Sequence, residues 1–347
     1  MNLIETLEAL CRLPGVSGNE SEVASFLLSQ IEEIDGCEAR VDPLGSVIVR
    51  KKGKRTPSRK LLLDAHMDEV GLMVNGIAED GSLHFTTVGG IDPRVLAGRQ
   101  VLVGEEELPG VIGAKPIHLQ TAAERGKAVP VRDLRIDIGC SSREEAAELV
   151  RPGDTVTFPP VFSPFGEGMF RGKAIDDRFG CAVLLDILKE DLPCDCTFCF
   201  SVQEETGGYG AAAAAFSEQP DVAVAVEATS AGDLPGVSGP QAACSLGRGA
   251  VLSFMDKGTL YPSRLYRLCE ETAARENIPV QPKTAIAGRN DAAPYQRAAG
   301  GAQVLAVSAP CRYIHSPQCV IAEADMLAVR SLLLALIDEF DKKDGNI

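Results

Sequence analysis

The sequence sets histidines and carboxylates in an arrangement that suits the binding of divalent metal ions. The chain has 347 residues and only four histidines, and His66 stands two residues before Asp68 at the end of an apolar run. Residues two apart on an extended chain point the same way. A carboxylate beside a ligating imidazole fixes the tautomer and orientation of the ring. A lone His-x-Asp pair is common, so its meaning depends on what accompanies it.

Acidic side chains recur where predicted strands end. In open α/β sheets, ligands bind beyond the carboxyl ends of the strands. Asp176 and Asp177 open a predicted helix, where they could simply cap the helix and complement its dipole. The other acids and a second histidine follow predicted strands: Glu204 and Glu205 after 197–202, Glu227 after 222–226, and His315 after 303–307.

These segments together carry far more negative than positive charge. They supply about six carboxylates and two imidazoles, and divalent cations are the usual means of balancing such a cluster. Two histidines with several carboxylates, and no cysteine in the same motifs, suit zinc, cobalt or manganese. The residue types alone therefore predict a site for divalent metal.

A glycine pattern supports a different interpretation. Gly208, Gly210 and Ala213 fit G-x-G-x-x-A between a strand and a helix, and Glu227 lies about twenty residues on, where dinucleotide-binding folds place a ribose-binding acid. The alternative would make the protein a dinucleotide-binding oxidoreductase. Two glutamates stand directly before the glycines, however, and they would repel a pyrophosphate. The two histidines would also be left without a role.

The elements that must position these residues alternate between strand and helix at both ends of the chain. Two amphipathic helices come first, joined by a turn in which Ser17 and Glu20 have capping-box spacing. The apolar run Lys60–His66 is typical of a buried central strand. Between about 70 and 160, short strand-like segments with one helix candidate, Ser142–Val150, predict a small β domain. The sequence therefore predicts an α/β domain interrupted by an inserted β domain.

Composition excludes several other classes of protein. The chain carries 34 Lys and Arg against 49 Asp and Glu, a net charge of −15, which argues against nucleic acid as a partner. No apolar run reaches the roughly 18–20 residues of a membrane span. The acidic start is unlike a signal peptide, so we expect a cytoplasmic protein. The closely spaced Cys194, Cys196 and Cys199 are interpreted as buried residues rather than as metal ligands.

Taken in order, five motifs make nearly the whole chain resemble the di-metal aminopeptidases of the tetrahedral and glutamyl type, some of which were once labelled endoglucanases. The resemblance implies a zinc-peptidase-like α/β/α sandwich over residues 1–67 and 163–347. It also implies a small, inserted, β-barrel-like dimerisation domain over residues 68–162. The motifs that carry it are Ala65–Gly71, Lys173–Arg178, Gln203–Gly207, Leu246–Gly249 and Arg312–Pro317.

The resemblance also implies a set of ligands for two divalent ions per chain, with zinc favoured over cobalt or manganese. Asp176 would bridge both ions. His66 and Glu227 would complete one site, and Glu205 and His315 the other. Three protein ligands per ion leave a position open for catalysis.

The implied activity is that of a metal-dependent aminopeptidase that removes N-terminal residues from peptides. Glu204 would act as the general base, and Asp68 would orient His66. The resemblance further implies dimers that combine into a tetrahedral dodecamer. A related di-metal deacylase or carboxypeptidase acting on small N-acyl compounds would need much the same ligands, so that alternative stays open here.

Two departures from the family pattern concern the site. Glu227 stands where an aspartate ligand is expected, which leaves the geometry or metal preference at that position open. The segment 288–292 differs from the family pattern of Gly-Gly-Thr-Asp-Ala in a region that helps shape the substrate pocket in relatives. Arg289 and Asp291 are therefore candidate substrate-binding residues. Arg289 could favour acidic substrates or could equally be an ordinary surface arginine.

Overall fold

The computed structural model describes residues 1–342, and most of them build a sandwich around a single mixed sheet of eleven strands. The central strands run parallel, and antiparallel strands extend the sheet on both sides. In spatial order the strands are β1 (Cys37–Val41), β2 (Val47–Lys51), β12 (Cys196–Ser201), β3 (Leu61–His66), β13 (Val222–Ser230), β16 (Gln303–Arg312), β17 (Cys319–Ala322), β11 (Met169–Gly172) and β10 (Phe162–Pro164), with β14 (Ala250–Leu252) paired to β16 and β15 (Val280–Pro282) paired to β14.

Alternation along the central strands decides which helices cover each face of the sheet. In β13, Val222, Val224 and Val226 point into the larger core, whereas Ala223 and Ala225 point to the opposite face, as the two-residue period of a strand requires. The small alanine side chains let an alanine-rich helix pack closely against this face of the sheet. The larger core is covered by α1 (Leu3–Arg12), α2 (Ser21–Ile31), α5 (Ile175–Ile187), α8 (Ser263–Arg275) and α10 (Glu323–Lys342), and the alanine face by α7 (Tyr209–Glu218) and α9 (Ala292–Arg297). The predicted α/β/α sandwich is confirmed.

A closed six-stranded barrel with its own apolar core interrupts this sandwich. Five of its strands overlap strand-like segments predicted from the sequence, whereas β8 was not predicted. The inserted β-barrel of the predicted fold class is thus confirmed, whereas the boundaries at 68 and 162 stay predictions. The barrel contains β4 (Gly71–Ile77), β5 (Leu83–Val88), β6 (Gln100–Val103), β7 (Leu108–Gly113), β8 (Arg135–Asp137) and β9 (Thr155–Thr157), with α3 (Ala122–Arg125) and α4 (Arg143–Leu149) in its connections.

The predicted ends of two central strands are wrong. β13 and β16 pair in parallel over nine positions, from Val222 opposite Gln303 to Ser230 opposite Cys311. Each strand continues because its neighbour offers backbone partners, although polar side chains interrupt the apolar pattern. Glu227 therefore lies within β13 rather than after it.

The predicted capping box at the start of α2 is also wrong. Glu20 occupies the N-cap position, but its side chain makes no capping hydrogen bond. The Ser17 hydroxyl donates instead to Asp68, 2.6 Å away, and Glu20 accepts a hydrogen bond from the Gln203 amide. The spacing is that of a capping box, but both side chains form tertiary hydrogen bonds instead.

The three closely spaced cysteines are buried, as expected of a structural role. Cys196 and Cys199 lie on β12, and Cys194 directly precedes it. Neither group of side chains in residues 1–342 that could hold a metal includes a cysteine. Separately, none of the helices described in this range is both long enough and apolar enough to cross a membrane.

Candidate metal centre and active site

The five predicted metal ligands converge on one edge of the sheet, where the parallel central strands end. His66 is the last residue of β3, and Glu227 lies in the second half of β13. Asp176 stands at the start of α5. Glu205 lies in α6 (Glu204–Gly207), directly after β12, and His315 lies in the loop between β16 and β17. The fold thus brings together side chains that are up to 249 residues apart in sequence, as positions 66 and 315 show.

These side chains form two groups that share Asp176. Nε2 of His66 lies 3.4 Å from Oδ1 of Asp176 and 3.8 Å from Oε2 of Glu227. Nε2 of His315 lies 3.4 Å from Oδ2 of Asp176 and 3.3 Å from Oε1 of Glu205. Within each group, one potential ligand atom per residue lies within 4.8 Å of the others. Each oxygen of the Asp176 carboxylate therefore faces a different histidine.

The two groups fit divalent metal ions. Oδ1 of Asp176 and Oε1 of Glu205 are buried and accept no hydrogen bond. A buried carboxylate oxygen without a partner costs free energy, and a cation removes that cost. Imidazole nitrogens and carboxylate oxygens form a donor set that suits zinc, cobalt or manganese. The geometry and the donor chemistry therefore agree.

Electrostatics at the site point to the same need for positive charge. Burial alone would lower the pKa of His66, but the neighbouring carboxylates, Asp176 foremost, raise it well above its ordinary value. Burial opposes the same effect at His315, where Asp176 and Glu205 raise the pKa to about 10. Burial raises the pKa of Glu204 and of Glu205 to about 8. Protonation of these side chains would balance the same negative charge that bound divalent cations can balance.

The two adjacent aspartates at the start of α5 make different interactions. The Asp177 carboxylate accepts a hydrogen bond of 3.1 Å from the Gly180 amide, which is a capping interaction. Asp176 and Asp177 both have non-helical dihedral angles within α5, so Asp176 faces the ligand groups from a kink in the helix. Of the two interpretations of this pair, capping applies to one residue and metal binding fits the other.

Asp68 connects the first histidine with the two glutamates. Nδ1 of His66 lies 3.0 Å from the carbonyl oxygen of Asp68 and 3.4 Å from its Oδ1. The Asp68 carboxylate accepts hydrogen bonds from the Ser17 hydroxyl and from the backbone amides of Glu204 and Glu205. Because Asp68 is fully buried, these contacts fix the ring and the glutamate segment together.

The second histidine is held by the inserted barrel. Nδ1 of His315 lies 2.9 Å from the carbonyl oxygen of Gly90, which follows β5. This contact leaves Nε2 to face Asp176 and Glu205. Nothing in the sequence around Gly90 indicates this role, since a backbone carbonyl has no residue-type signature.

Left-handed backbone conformations cluster around the site. Ala174, Gln203, Tyr313 and His315 all have φ between 53° and 59°, a region that non-glycine residues rarely adopt. Each lies within two residues of a candidate ligand or is one itself. Such strain persists only where the surrounding structure enforces it, and it is typical of functional sites.

Two buried cations in the second motif, Lys173–Arg178, anchor the site and were not predicted. Lys173 forms an ion pair of 2.5 Å with Glu69, and both side chains are almost fully buried. Arg178 is completely buried and donates to the backbone carbonyls of Met67 and Leu10. These cations bind the segment after His66 to the start of α5. Their sequence signal was their place within the quoted motifs, but neither spacing nor charge reveals the partner.

An open cleft of about 390 Å³ leads to the first group of ligands. Glu204 lines it beside His66, Asp176 and Glu227, and is therefore placed to meet a substrate there. The cleft is also lined by two basic side chains, Lys283 and Arg289. The cleft thus brings carboxylates and two basic side chains to the same space.

The two candidate substrate-binding residues differ in their exposure to the cleft. Arg289 lines the cleft, is exposed, and forms no hydrogen bond or ion pair through its side chain within the described chain. Asp291 is buried behind the cleft wall, where its amide lies 3.3 Å from Oε1 of Glu227 and its carboxylate accepts from Ser201. This position suits Asp291 to orienting Glu227 rather than to touching substrate.

Close packing explains the glycines that resembled a dinucleotide fingerprint. A Cβ atom on Gly210 would come within 2.5 Å of the Val202 amide nitrogen, so only glycine lets α7 approach the end of β12. Gly208 has φ of +69°, which glycine adopts without strain. These two roles account for the pattern without a bound phosphate.

A family model described as M42 glutamyl aminopeptidase matches residues 45–332 of the chain. The lysyl aminopeptidase of Pyrococcus furiosus is 33% identical over 98% of this chain and 98% of its own. A TET aminopeptidase structure from the archaeon Thaumarchaeota archaeon SCGC AB-539-E09 superposes with a TM-score of 0.93 at 33% identity, covering 98% of this chain and 96% of the other. The TET1 peptidase of Pyrococcus horikoshii, which can assemble into a tetrahedron or a large octahedral shell, superposes with a TM-score of 0.85 at 34% identity, covering 97% and 99%.

Proposed function

This chain belongs to the M42 glutamyl aminopeptidase family, and from that membership and the site geometry we propose how it works as a metal-dependent aminopeptidase. It removes N-terminal residues from peptides with the aid of two divalent ions. The observation that supports this most strongly is the pair of ligand groups that share Asp176, four of whose five side chains line an open cleft. The relatives favour an aminopeptidase over a deacylase or carboxypeptidase.

Five side chains would hold the ions: His66 and Glu227 one, Glu205 and His315 the other, and Asp176 both. Bound ions supply Lewis acidity, which polarises a peptide carbonyl and makes water a better nucleophile near neutral pH. We propose zinc as the physiological metal because the donor set suits it, with cobalt or manganese as substitutes. Glu227 provides the carboxylate expected there, and the Asp291 amide steadies its longer side chain.

Glu204 would act as the general base. It lines the cleft next to the ligand groups without belonging to either of them, so its carboxylate can take a proton from a water molecule there. It would take a proton from the attacking water and later give a proton to the leaving amine. Asp68 would keep His66 oriented while this happens.

A screen of chromogenic substrates tests this function. The protein is stripped with a chelator, and zinc, cobalt or manganese is added back before aminoacyl substrates and their N-acetylated counterparts are offered. Hydrolysis of the free-amine substrates alone, and only after metal is restored, is the expected result. Hydrolysis of only the N-blocked compounds would select a deacylase, and metal-independent hydrolysis would contradict the account.

We further propose that the cleft prefers acidic N-terminal side chains. Lys283 and Arg289 place positive charge on the lining of the cleft, and Arg289 is exposed and forms no ion pair with another described residue. The loop that carries Arg289 is fixed because Lys257 donates its amide to the Gly288 carbonyl, and Asn290 accepts from the Ala292 amide. A guanidinium carried on a fixed loop can pair with a substrate carboxylate.

Arg289→Ala tests this preference. We expect kcat/KM for a glutamyl substrate to fall by about tenfold, because one charge-assisted contact is lost, while kcat/KM for an alanyl substrate stays within about twofold. Arg264→Ala, an exposed arginine on α8, is the matched control and should change neither value. An equal loss on both substrates would show that Arg289 does not read the side chain.

The inserted segment, residues 68–162, is proposed to mediate self-assembly. Ile117 is 70% exposed and Leu119 60% exposed on this segment, which is unusual for large apolar side chains close together in sequence. Together with the shell-forming structural neighbour, this supports dimers that combine into a tetrahedral dodecamer. A hollow particle of this kind would admit peptides and exclude folded proteins.

Light scattering at micromolar concentration with metal present measures the assembly. We expect a mass of about twelve chains for the unchanged protein and a smaller species for the double variant Ile117→Asp, Leu119→Asp, because two charges would have to be buried at the contact. A monomeric unchanged protein would contradict the assembly.

A cytoplasmic location is proposed in addition, and the absence of disulfide bonds among the cysteines of residues 1–342 is in keeping with it.

A further inference from the structure

Three consecutive backbone amides at the end of β12 are each held by a carboxylate from elsewhere in the chain. The amides of Glu204 and Glu205 donate to Asp68, over 3.0 and 3.1 Å. The preceding amide, that of Gln203, donates to Oε1 of Glu20 over 3.1 Å. The segment 203–205 carries the proposed base and one proposed ligand, so these contacts fix the backbone from which both side chains extend.

The Gln203 contact lies at the point where the backbone changes direction. Gln203 has φ of 59° and ψ of 36°, a left-handed conformation between the extended β12 and the single turn of α6. A non-glycine residue there needs external support. The hydrogen bond from its amide to Glu20 supplies such support, and without it the turn can relax toward an ordinary conformation.

Glu20 is buried at a cost that its own helix does not explain. Its side chain is part of a residue only 6% exposed, and it makes no capping hydrogen bond to α2. No basic side chain in the described part of the chain forms an ion pair with it. Oε1 accepts only backbone amides, that of Gly18 over 2.8 Å and that of Gln203. Burying a carboxylate without a cation is expensive, so its retention calls for a role beyond packing.

One turn therefore supports two of the backbone segments that carry proposed site residues. Ser17 donates its hydroxyl to Asp68, and Glu20, three residues later, receives the Gln203 amide. The turn from Ser17 to Glu20 is thereby tied to the segment after β3 and to the segment after β12.

We propose that Glu20 is a positioning residue for peptide hydrolysis, holding the Gln203 turn so that the Glu204 carboxylate faces the cleft. It does not touch substrate, and it acts only through the backbone of residues 203–205. This inference rests on the proposed function, and in particular on Glu204 as the base. A misplacement of about 1 Å in a reacting group can cost about a hundredfold in rate.

Three variants test the proposal in the full-length, metal-loaded protein. Glu20→Ala removes the acceptor and should lower kcat by about 10- to 100-fold with KM within about twofold and metal content unchanged. Glu20→Gln keeps a carbonyl oxygen for the Gln203 amide and should stay within about threefold of the unchanged enzyme. Glu22→Ala removes an exposed glutamate two residues on and is the matched control.

Glu20→Asp keeps the experiment decisive if the alanine variant does not fold. It retains the charge but withdraws the acceptor by one methylene, so kcat should fall by about tenfold in a folded protein. The proposal is overturned if the alanine variant keeps kcat within twofold, if glutamine is as slow as alanine, or if KM or metal content changes instead of kcat. Inactivity of the unchanged protein would instead refute the proposed function.

Discussion

Glu204→Gln is expected to lower kcat by about 10²- to 10⁴-fold while the protein keeps its metal, its assembly and a near-normal KM. Glutamine preserves the size of the side chain and its hydrogen bonding but cannot accept a proton from water. The backbone amide of residue 204 still donates to Asp68, so the segment should stay in place. Steady-state kinetics with metal analysis on the same preparation measure the effect.

Glu205→Gln is the matched comparison, because it makes the same chemical change one residue away. Oε1 of Glu205 lies 3.3 Å from Nε2 of His315, whereas Glu204 lines the cleft. The neutral amide is a weaker metal donor, so this variant should lose metal as well as activity. If Glu204→Gln were the variant that lost metal, or if it kept its kcat, the roles of the two glutamates would be wrongly assigned.

Asp176→Asn should abolish measurable activity and lower the affinity for metal in both ligand groups at once. The two carboxylate oxygens face different histidines, Oδ1 toward His66 and Oδ2 toward His315. An asparagine replaces one of these oxygens with an amide nitrogen that cannot coordinate and removes the negative charge from both groups. Metal content after dialysis, measured together with activity, shows the result.

Asp177→Asn is the control for this change. Its carboxylate accepts from the Gly180 amide, and asparagine keeps an oxygen for that contact. Metal content should therefore stay close to that of the unchanged protein. Loss of metal from only one group in Asp176→Asn would contradict a shared ligand.

The sequence carried enough information to put four of the five candidate ligands after predicted strands, whereas Asp176 was expected only at the start of a helix and its bridging role came from the family resemblance. His66 ends a strand that is buried throughout, and the α/β/α layers follow from the alternation of valine and alanine in β13. The exact end of that strand was not predictable, since Glu227 breaks the apolar pattern while backbone pairing with β16 continues.

The supporting contacts were largely beyond prediction because they depend on tertiary structure. The carbonyl of Gly90 has no signature in the sequence, and it reaches His315 only because the barrel folds back onto the sheet. Ser17 and Glu20 had the spacing of a capping box, a local pattern that is satisfied here by distant partners. Local spacing thus identified polar side chains without revealing what they bind.

The number of metal ions bound per chain at saturation tests the central claim most directly. The chelator-treated protein is titrated with zinc, and the bound metal is counted by native mass spectrometry of the subunit while activity is followed. The two groups that share Asp176 predict two ions per chain, with full activity only when both are bound. Saturation at one ion per chain, or full activity without metal, would contradict the account.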